Sequence, residues 1–329
     1  MPPLLATVGK NGKVSFLEKG GTSVFPNSTG AYELDLSLVD DFDHAWREMH
    51  VKTDVFCSAA VVLPDKAARI LNVGGWSLTS TFGIRLYAPD GSPGVNGTND
   101  WEEDPDNLQL QVRVAYHPHI TFTVSVLNEF AIQGGRWYPT ALVLSNGSVL
   151  IMGGETGANA PANPTLEILP RVPGGSTVVF LDWLQRTDPN NLYPFLHVLP
   201  SGLIFVGEFE ASDYPTSLTE TRVGYYNEAR ILDPVTFTTI TVLPNIPGSV
   251  TSFSAGRTYP MEGASVLLPQ YAPYTDPITV LICGGSDFGT ALDNCVSIQP
   301  ESVNATWVVE RMVRSFLPHL TKAATLTYL

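Results

Sequence analysis

The chain has 329 residues, 44% of them apolar and 15% charged, with a formal net charge of -14. That length suits one large all-β domain or two ordinary ones, with enough apolar residues for a packed core. The acidic balance and the lack of a Lys/Arg cluster exclude nucleic acid and an anionic membrane surface as partners, and no apolar run approaches the roughly 18 residues a membrane-spanning helix needs.

In chain order, the first element is a hairpin over Val8–Leu17, with Asn11-Gly12 at its turn. Two short apolar runs joined through Asn-Gly are a strong local hairpin signal. A second copy spans Ala59–Val73 and stops at Gly74-Gly75-Trp76. The third and clearest copy begins at Arg136-Trp137-Tyr138-Pro139-Thr140, turns at Asn146-Gly147 and stops at Gly153-Gly154. A fourth covers Leu196–Gly207, and a fifth runs from Ala264 through a longer loop to Cys283-Gly284-Gly285. Further strand-like runs lie at Gly83–Tyr87, Thr165–Leu169, Ala229–Leu232 and Cys295–Ile298. Leu36–Met49 has room for a turn or two of helix.

Several short strands per unit, repeated at intervals of some tens of residues, predict an all-β, kelch-type β-propeller with about five recognisable blades. The spacing exceeds one unit, without reaching two, from Gly75 to Gly154 and from Gly207 to Gly285. Extra stretches near 112–134 and 207–223 account for the surplus. The last segment, 313–329, starts no new copy. The first stretch and this last segment both open with Val-Arg, as a translated intron donor would, so unspliced introns are the expected origin of all three. The propeller domain is accordingly expected over 1–312. An N-terminal stretch that meets Gly9-Lys10-Asn11 this early is too short for a signal peptide. Sequons at Asn27, Asn96, Asn146 and Asn304 nevertheless weigh toward secretion, so the N-terminus is expected to be incomplete or an alternative start.

The three cysteines are Cys57, Cys283 and Cys295. Cys283 and Cys295 flank one hairpin and are read equally well as a disulfide or as two buried thiols. His44, His50, His197 and His319 lack ligand-like spacing, and His117-Pro118-His119 lies inside the first extra stretch. Asp287-Phe288-Gly289 imitates a kinase triplet without the loops that accompany it.

Phe56-Cys57-Ser58, Gly74-Gly75-Trp76, Arg136-Trp137-Tyr138-Pro139 and Arg257-Thr258-Tyr259-Pro260 together resemble fungal glyoxal oxidases, relatives of galactose oxidase among the copper radical oxidases. The connecting pieces Asn96–Glu103, Asp182–Pro189 and Tyr225–Arg230 resemble them as well. The resemblance implies a seven-bladed propeller followed by a β-sandwich domain, which does not appear in this sequence. It implies one copper ion held by two tyrosines and two histidines, one tyrosine joined to a cysteine by a thioether and serving as a radical. By motif Tyr138 resembles the cross-linked tyrosine and metal ligand, and Cys57 its partner, with Trp76 and Trp137 expected beside the cofactor. The adjacent Tyr-His pair of the family is missing from the blade hairpins; the dipeptide occurs only as Tyr116-His117. The implied activity is oxidation of small aldehydes or alcohols by O2 with release of hydrogen peroxide, by an extracellular monomer. The competing expectation is a non-catalytic propeller fragment, or a glycan- or protein-binding kelch-like module.

Overall fold

The computed structural model describes residues 5–19, 30–76, 78–103, 132, 134–157, 160–170, 178–187, 192–208, 227–248, 255–287 and 290–312. These fall into two compact units that divide between Phe180 and Leu181.

Unit one contains three antiparallel sheets. The first is β1 (Leu5–Val8), β2 (Lys13–Leu17), β3 (Gly30–Asp35) and β4 (Trp46–His50). The second is β5 (Ala59–Val62), β6 (Ile70–Val73) and β7 (Ile84–Tyr87). The third is β8 (Thr140–Val143), β9 (Val149–Met152), β10 (Thr165–Leu169) and β11 (Val179–Phe180). Each is a meander whose strands pair in sequence order. Their first strands lie side by side, β1 by β5 and β5 by β8, as inner strands of neighbouring propeller blades do.

Unit two starts with a short helix, α1 (Asp182–Arg186). Its first blade is β12 (Phe195–Val198), β13 (Ile204–Gly207), β14 (Ala229–Leu232) and β15 (Thr239–Leu243). The second opens with β16 (Ala264–Leu267) and β17 (Val280–Cys283). A two-stranded excursion follows, β18 (Ser286–Asp287) with β19 (Thr290–Ala291), before β20 (Asn294–Ile298) and β21 (Val308–Arg311) complete the sheet. All five expected hairpins are therefore blade openings, and the molecule is all-β of the propeller type.

The physical basis is coverage on both faces. β6, β9, β13 and β14 are buried at every position; β9 and β13 therefore read as unbroken non-polar runs rather than alternating ones, while β6 and β14 each bury one hydrogen-bonded polar residue, Asn72 and Arg230. Leu71, Val73, Ile84, Val149, Ile151 and Leu169 form one core between the second and third blades. Phe195, Phe205, Ile231, Val280, Ile282 and Val296 form the core of unit two. The hairpin turns close as their glycines predict: Gly147 has φ 84° and Gly202 φ 85°, a left-handed conformation that costs glycine little.

The region 36–49 holds less helix than expected. One 3-10 turn covers Leu36–Leu38, capped where Ser37 N–H donates to the Asp35 side chain, and Trp46 to Met49 belong to β4 instead. At the margins of the extra stretches, Ile132 packs into the unit-one core, Gly134 N–H donates to Glu167 at 3.2 Å, and Gly207 ends β13. Glu208, buried and ion-paired with Arg230 at 3.2 Å, follows it; the rest of both stretches, the segment 313–329, His117, His119, His319 and Asn27 lie outside the described residues. Among the described residues no helix is long and apolar enough to cross a membrane.

His197, on β12, sits within hydrogen-bonding distance of Ser265 Oγ (2.7 Å) and stacks on Phe205. Burial pushes its pKa down from 6.5 to about 4. The unfolded chain therefore binds this proton more readily than the folded one. The stability this implies is complete above pH 6.5 and is lost as the pH falls toward 4, by on the order of 3 kcal/mol. A His197→Gln variant is expected to lose that slope in urea titrations between these pH values; an unchanged slope would contradict the assignment.

Candidate functional site

The site is built from the segments that lead into the inner strands. Two residues ahead of β5 stands Cys57, with φ 56°; two ahead of β8 stands Tyr138, with φ 63°. The same position before β12 and β16 is taken by Tyr193 (φ 50°) and Glu262 (φ 58°). A left-handed residue thus turns each of these four chains into its inner strand. Non-glycine residues occupy this region only when their surroundings hold them there.

Those surroundings are explicit for Cys57 and Tyr138. Asp54 Oδ1 accepts from Phe56 N–H at 2.9 Å, Asp54 N–H donates to Ser80 Oγ at 3.0 Å, and Ser58 N–H donates to the Val55 carbonyl at 3.1 Å. On the other side, Arg136 N–H donates to Thr81 O, and Trp137 and Glu155 exchange a pair of backbone hydrogen bonds. The two segments then join: Tyr138 N–H donates to the Cys57 carbonyl at 2.9 Å. Gly75 stands between them, its N–H donating to Arg136 O at 3.0 Å, while a Cβ on its other side would lie 2.0 Å from Asp54 O.

In each unit the Gly-Gly pairs meet a buried guanidinium of the same unit. Arg85 donates to Gly74 O (2.6 Å), Arg136 to Gly153 O (2.8 Å), and Arg257 to Gly284 O (2.5 Å). Arg136 also donates to Thr165 O and, with Glu167 at 2.7 Å, forms an ion pair in which both side chains are fully buried. Burial pulls the Arg257 pKa down to about 10, and those of Arg85 and Arg136 below their usual value. The Arg136-Trp-Tyr-Pro and Arg257-Thr-Tyr-Pro motifs are therefore one device used twice, an arginine that satisfies strand-end carbonyls of its own blade.

The aromatic surroundings are equally defined. Trp137 and Tyr138, both buried, have ring centroids 4.2 Å apart. Phe56 lies 6.1 Å from Trp137. The Lys19 ammonium is 4.4 Å from the Phe56 ring centre and 4.0 Å from that of Trp76, a cation held between two aromatic faces. Trp76 thus connects to the Tyr138 neighbourhood through Lys19 and Phe56 rather than by direct stacking. The indole nitrogen of Trp137 is buried and makes no hydrogen bond among the described residues. Sequence marks Phe56 only as the neighbour of Cys57, and nothing in it marks Lys19. The recurring Tyr-Pro dipeptides at 138, 193 and 259 were the available signal for the lead-in segments.

Among the described residues no group of three or more His, Cys, Asp or Glu is placed to hold a metal ion. His44 pairs with Asp41 on the surface, a hydrogen bond that raises its pKa, and His50 contacts Asp100 at 2.8 Å. His197 faces Ser265. Cys57 and Tyr138 meet through a backbone hydrogen bond, and no cluster of His, Cys, Asp or Glu beside them completes a metal shell among the described residues. Cys283 and Cys295 face each other across β17 and β20, with their sulfurs bonded at 1.99 Å.

The chain is 56% identical, over 312 residues, to a WSC domain-containing protein of Arthroderma benhamiae, covering 94% of this chain and 29% of that protein. It is 27% identical over 275 residues to the aldehyde oxidase GLOX of Vitis pseudoreticulata, covering 81% of this chain and 42% of that one. It spans less than half the length of either relative. Among solved structures it is similar to a fungal alcohol oxidase of the AA5 family in complex with copper, at 13% identity and a TM-score of 0.43, covering 94% of this chain and 65% of that one. The family model described as glyoxal oxidase N-terminus matches residues 125–317, more than half the chain, and the chain belongs to that family.

Proposed function

We propose that this chain is the propeller part of a copper radical oxidase of the glyoxal oxidase type, which oxidises small aldehydes or alcohols with O2 and releases hydrogen peroxide. The observation that carries the reading is the direct backbone hydrogen bond between Cys57 and Tyr138, which belong to different blades and are both held at left-handed φ. In this reading a C–S bond forms between Cys57 Sγ and the ring carbon beside the Tyr138 hydroxyl. The thiol and the ring each give up one hydrogen, and O2 takes both electrons and both protons to become hydrogen peroxide. Trp137 covers the Tyr138 ring and keeps water from it, and its indole N–H offers a buried donor to a bound molecule. Lys19 holds Phe56 and Trp76 as a wall beside the pair. Tyr138 would contribute one oxygen donor to copper, which when bound supplies one-electron and Lewis-acid chemistry that side chains lack.

The proposed compartment is extracellular and the proposed state monomeric. The Cys283–Cys295 bond and the exposed sequon residues Asn96, Asn146 and Asn304 support an oxidising, secretory route. A second reading, a non-catalytic propeller, is favoured by the incomplete metal shell among the described residues. The two separate on copper-supplied protein assayed for peroxide release from a small aldehyde. The oxidase reading expects release that falls at least about a hundredfold in Tyr138→Phe. No release from the parent protein, or equal release from the variant, would contradict it.

A further inference from the structure

Four blades open with short hairpin turns, but the loop of the last blade, between β16 and β17, is long. Its base is closed where Leu268 N–H donates to Thr279 O at 2.9 Å. Within it, Tyr274 N–H donates to Tyr271 O at 2.7 Å, and the Gln270 side chain donates to Asp276 O at 2.6 Å. Pro269, Pro273 and Pro277 fix three backbone φ angles. This braced loop exposes Tyr271 at 78% and Tyr274 at 68%, the two most exposed aromatic side chains among the described residues. Holding two large rings in water on an ordered turn gains nothing for folding, whereas it lowers the ordering cost of binding.

We propose that Tyr271 and Tyr274 form a docking platform for a neutral polysaccharide, a site independent of the oxidase reading. A tyrosine offers a rigid, amphipathic face at small entropic cost, and the C–H face of a sugar ring packs on such a surface. The turn brings the two Cα atoms within about 7 Å, so both rings can meet neighbouring residues of one chain. The exposed Thr275 and Asp276 lie beside them to accept hydrogen bonds from sugar hydroxyls. Charge selects the class of partner. Residues 268–279 include Asp276 and no lysine or arginine, on a chain of net charge -14. Anionic polymers and a second copy of this acidic chain are both disfavoured, while an uncharged glycan is not. The loop sits at the end of its blade away from Gly284 and Arg257, so docking there leaves the lead-in segment of that blade uncovered.

The test is calorimetric titration of the chain with three hexasaccharides: β-1,4-linked glucose, β-1,4-linked N-acetylglucosamine and β-1,3-linked glucose. At least one is expected to bind, equally well at roughly 0.1 M and about 1 M salt because no ion pair is involved. The double variant Tyr271→Ala/Tyr274→Ala is expected to weaken that binding at least about tenfold, with an unchanged urea midpoint because both side chains are exposed. Three outcomes would overturn the proposal: no binding of any of the three by the parent chain, undiminished binding by the double variant, or a parent dimer that the double variant converts to monomer.

Discussion

Replacing Arg136 by methionine is expected to destabilise unit one by about 3–5 kcal/mol, the cost of stranding a buried charge whose partner has been removed. Arg136 and Glu167 are both fully buried, and the guanidinium also satisfies the carbonyls of Gly153 and Thr165 and the Thr165 hydroxyl. Methionine fills part of the volume but takes the guanidinium counter-ion from the buried Glu167 carboxylate and leaves two carbonyls without that donor. Against a typical total of about 5–15 kcal/mol, such a loss is a large fraction of the unit's stability. The double variant Arg136→Met/Glu167→Leu is expected to recover part of the loss, because it removes the stranded charge while leaving the carbonyls unserved. Urea denaturation followed by tryptophan fluorescence checks both. A single variant within about 1 kcal/mol of the parent would show that the network contributes little.

The second large effect is expected from Gly75→Ala. Gly75 adopts φ 148°, and its added methyl group would sit 2.0 Å from the Asp54 carbonyl oxygen. A backbone oxygen cannot swing aside as a side-chain terminus does, so the Asp54–Cys57 segment or the Gly75–Arg136 hydrogen bond must move. Backbone strain and the lost hydrogen bond together are expected to cost more than about 3 kcal/mol. The comparison that isolates the cause is Gly94→Ala, where φ is also left-handed, at 77°, but nothing lies within 4 Å of the new Cβ. That variant is expected to lose only about 1–2 kcal/mol. Equal losses at the two positions would mean that conformation, not the close approach, makes glycine necessary at 75.

How much of this was legible in the sequence depends on what each residue faces. β6, β9, β13 and β17 carry apolar residues on both faces and end at glycines or close to them, so their pattern is visible without structure. β15 and β21 are outer strands; four of the five residues of Thr239–Leu243 are exposed, and Val308–Arg311 carries two charged residues. Their apolar residues Ile240, Val242 and Val308 face solvent, and neither strand ends at a glycine pair, so they lack the buried run and stop that mark the inner strands. The helix expectation for Leu36–Met49 held only for the 3-10 turn at Leu36–Leu38, for the complementary reason: Trp46 and Met49 are spaced as on a helix, yet they point to opposite faces of β4, Met49 inward.

The site divides in the same way. Tyr138 and Cys57 were identified through family resemblance, since nothing in their neighbours announces a left-handed backbone at a tyrosine or a cysteine. The Gly-Gly pairs were legible as punctuation, but their function, admitting the lead-in backbone and presenting a carbonyl to a buried arginine, becomes visible only with Arg85, Arg136 and Arg257 in place. Lys19 and Phe56 are distant in sequence and meet only in the folded unit, so no local pattern could pair them.

The measurement that tests the central claim most directly is a mass analysis of tryptic peptides after the protein has been supplied with copper in air. The account predicts a peptide pair joining Cys57 to Tyr138 and lighter by two hydrogens than the separate peptides. Cys57→Ser is expected to abolish it, and Gly75→Ala to reduce it. Recovery of the Cys57 and Tyr138 peptides solely as unlinked species, from folded protein with copper bound, would contradict the account.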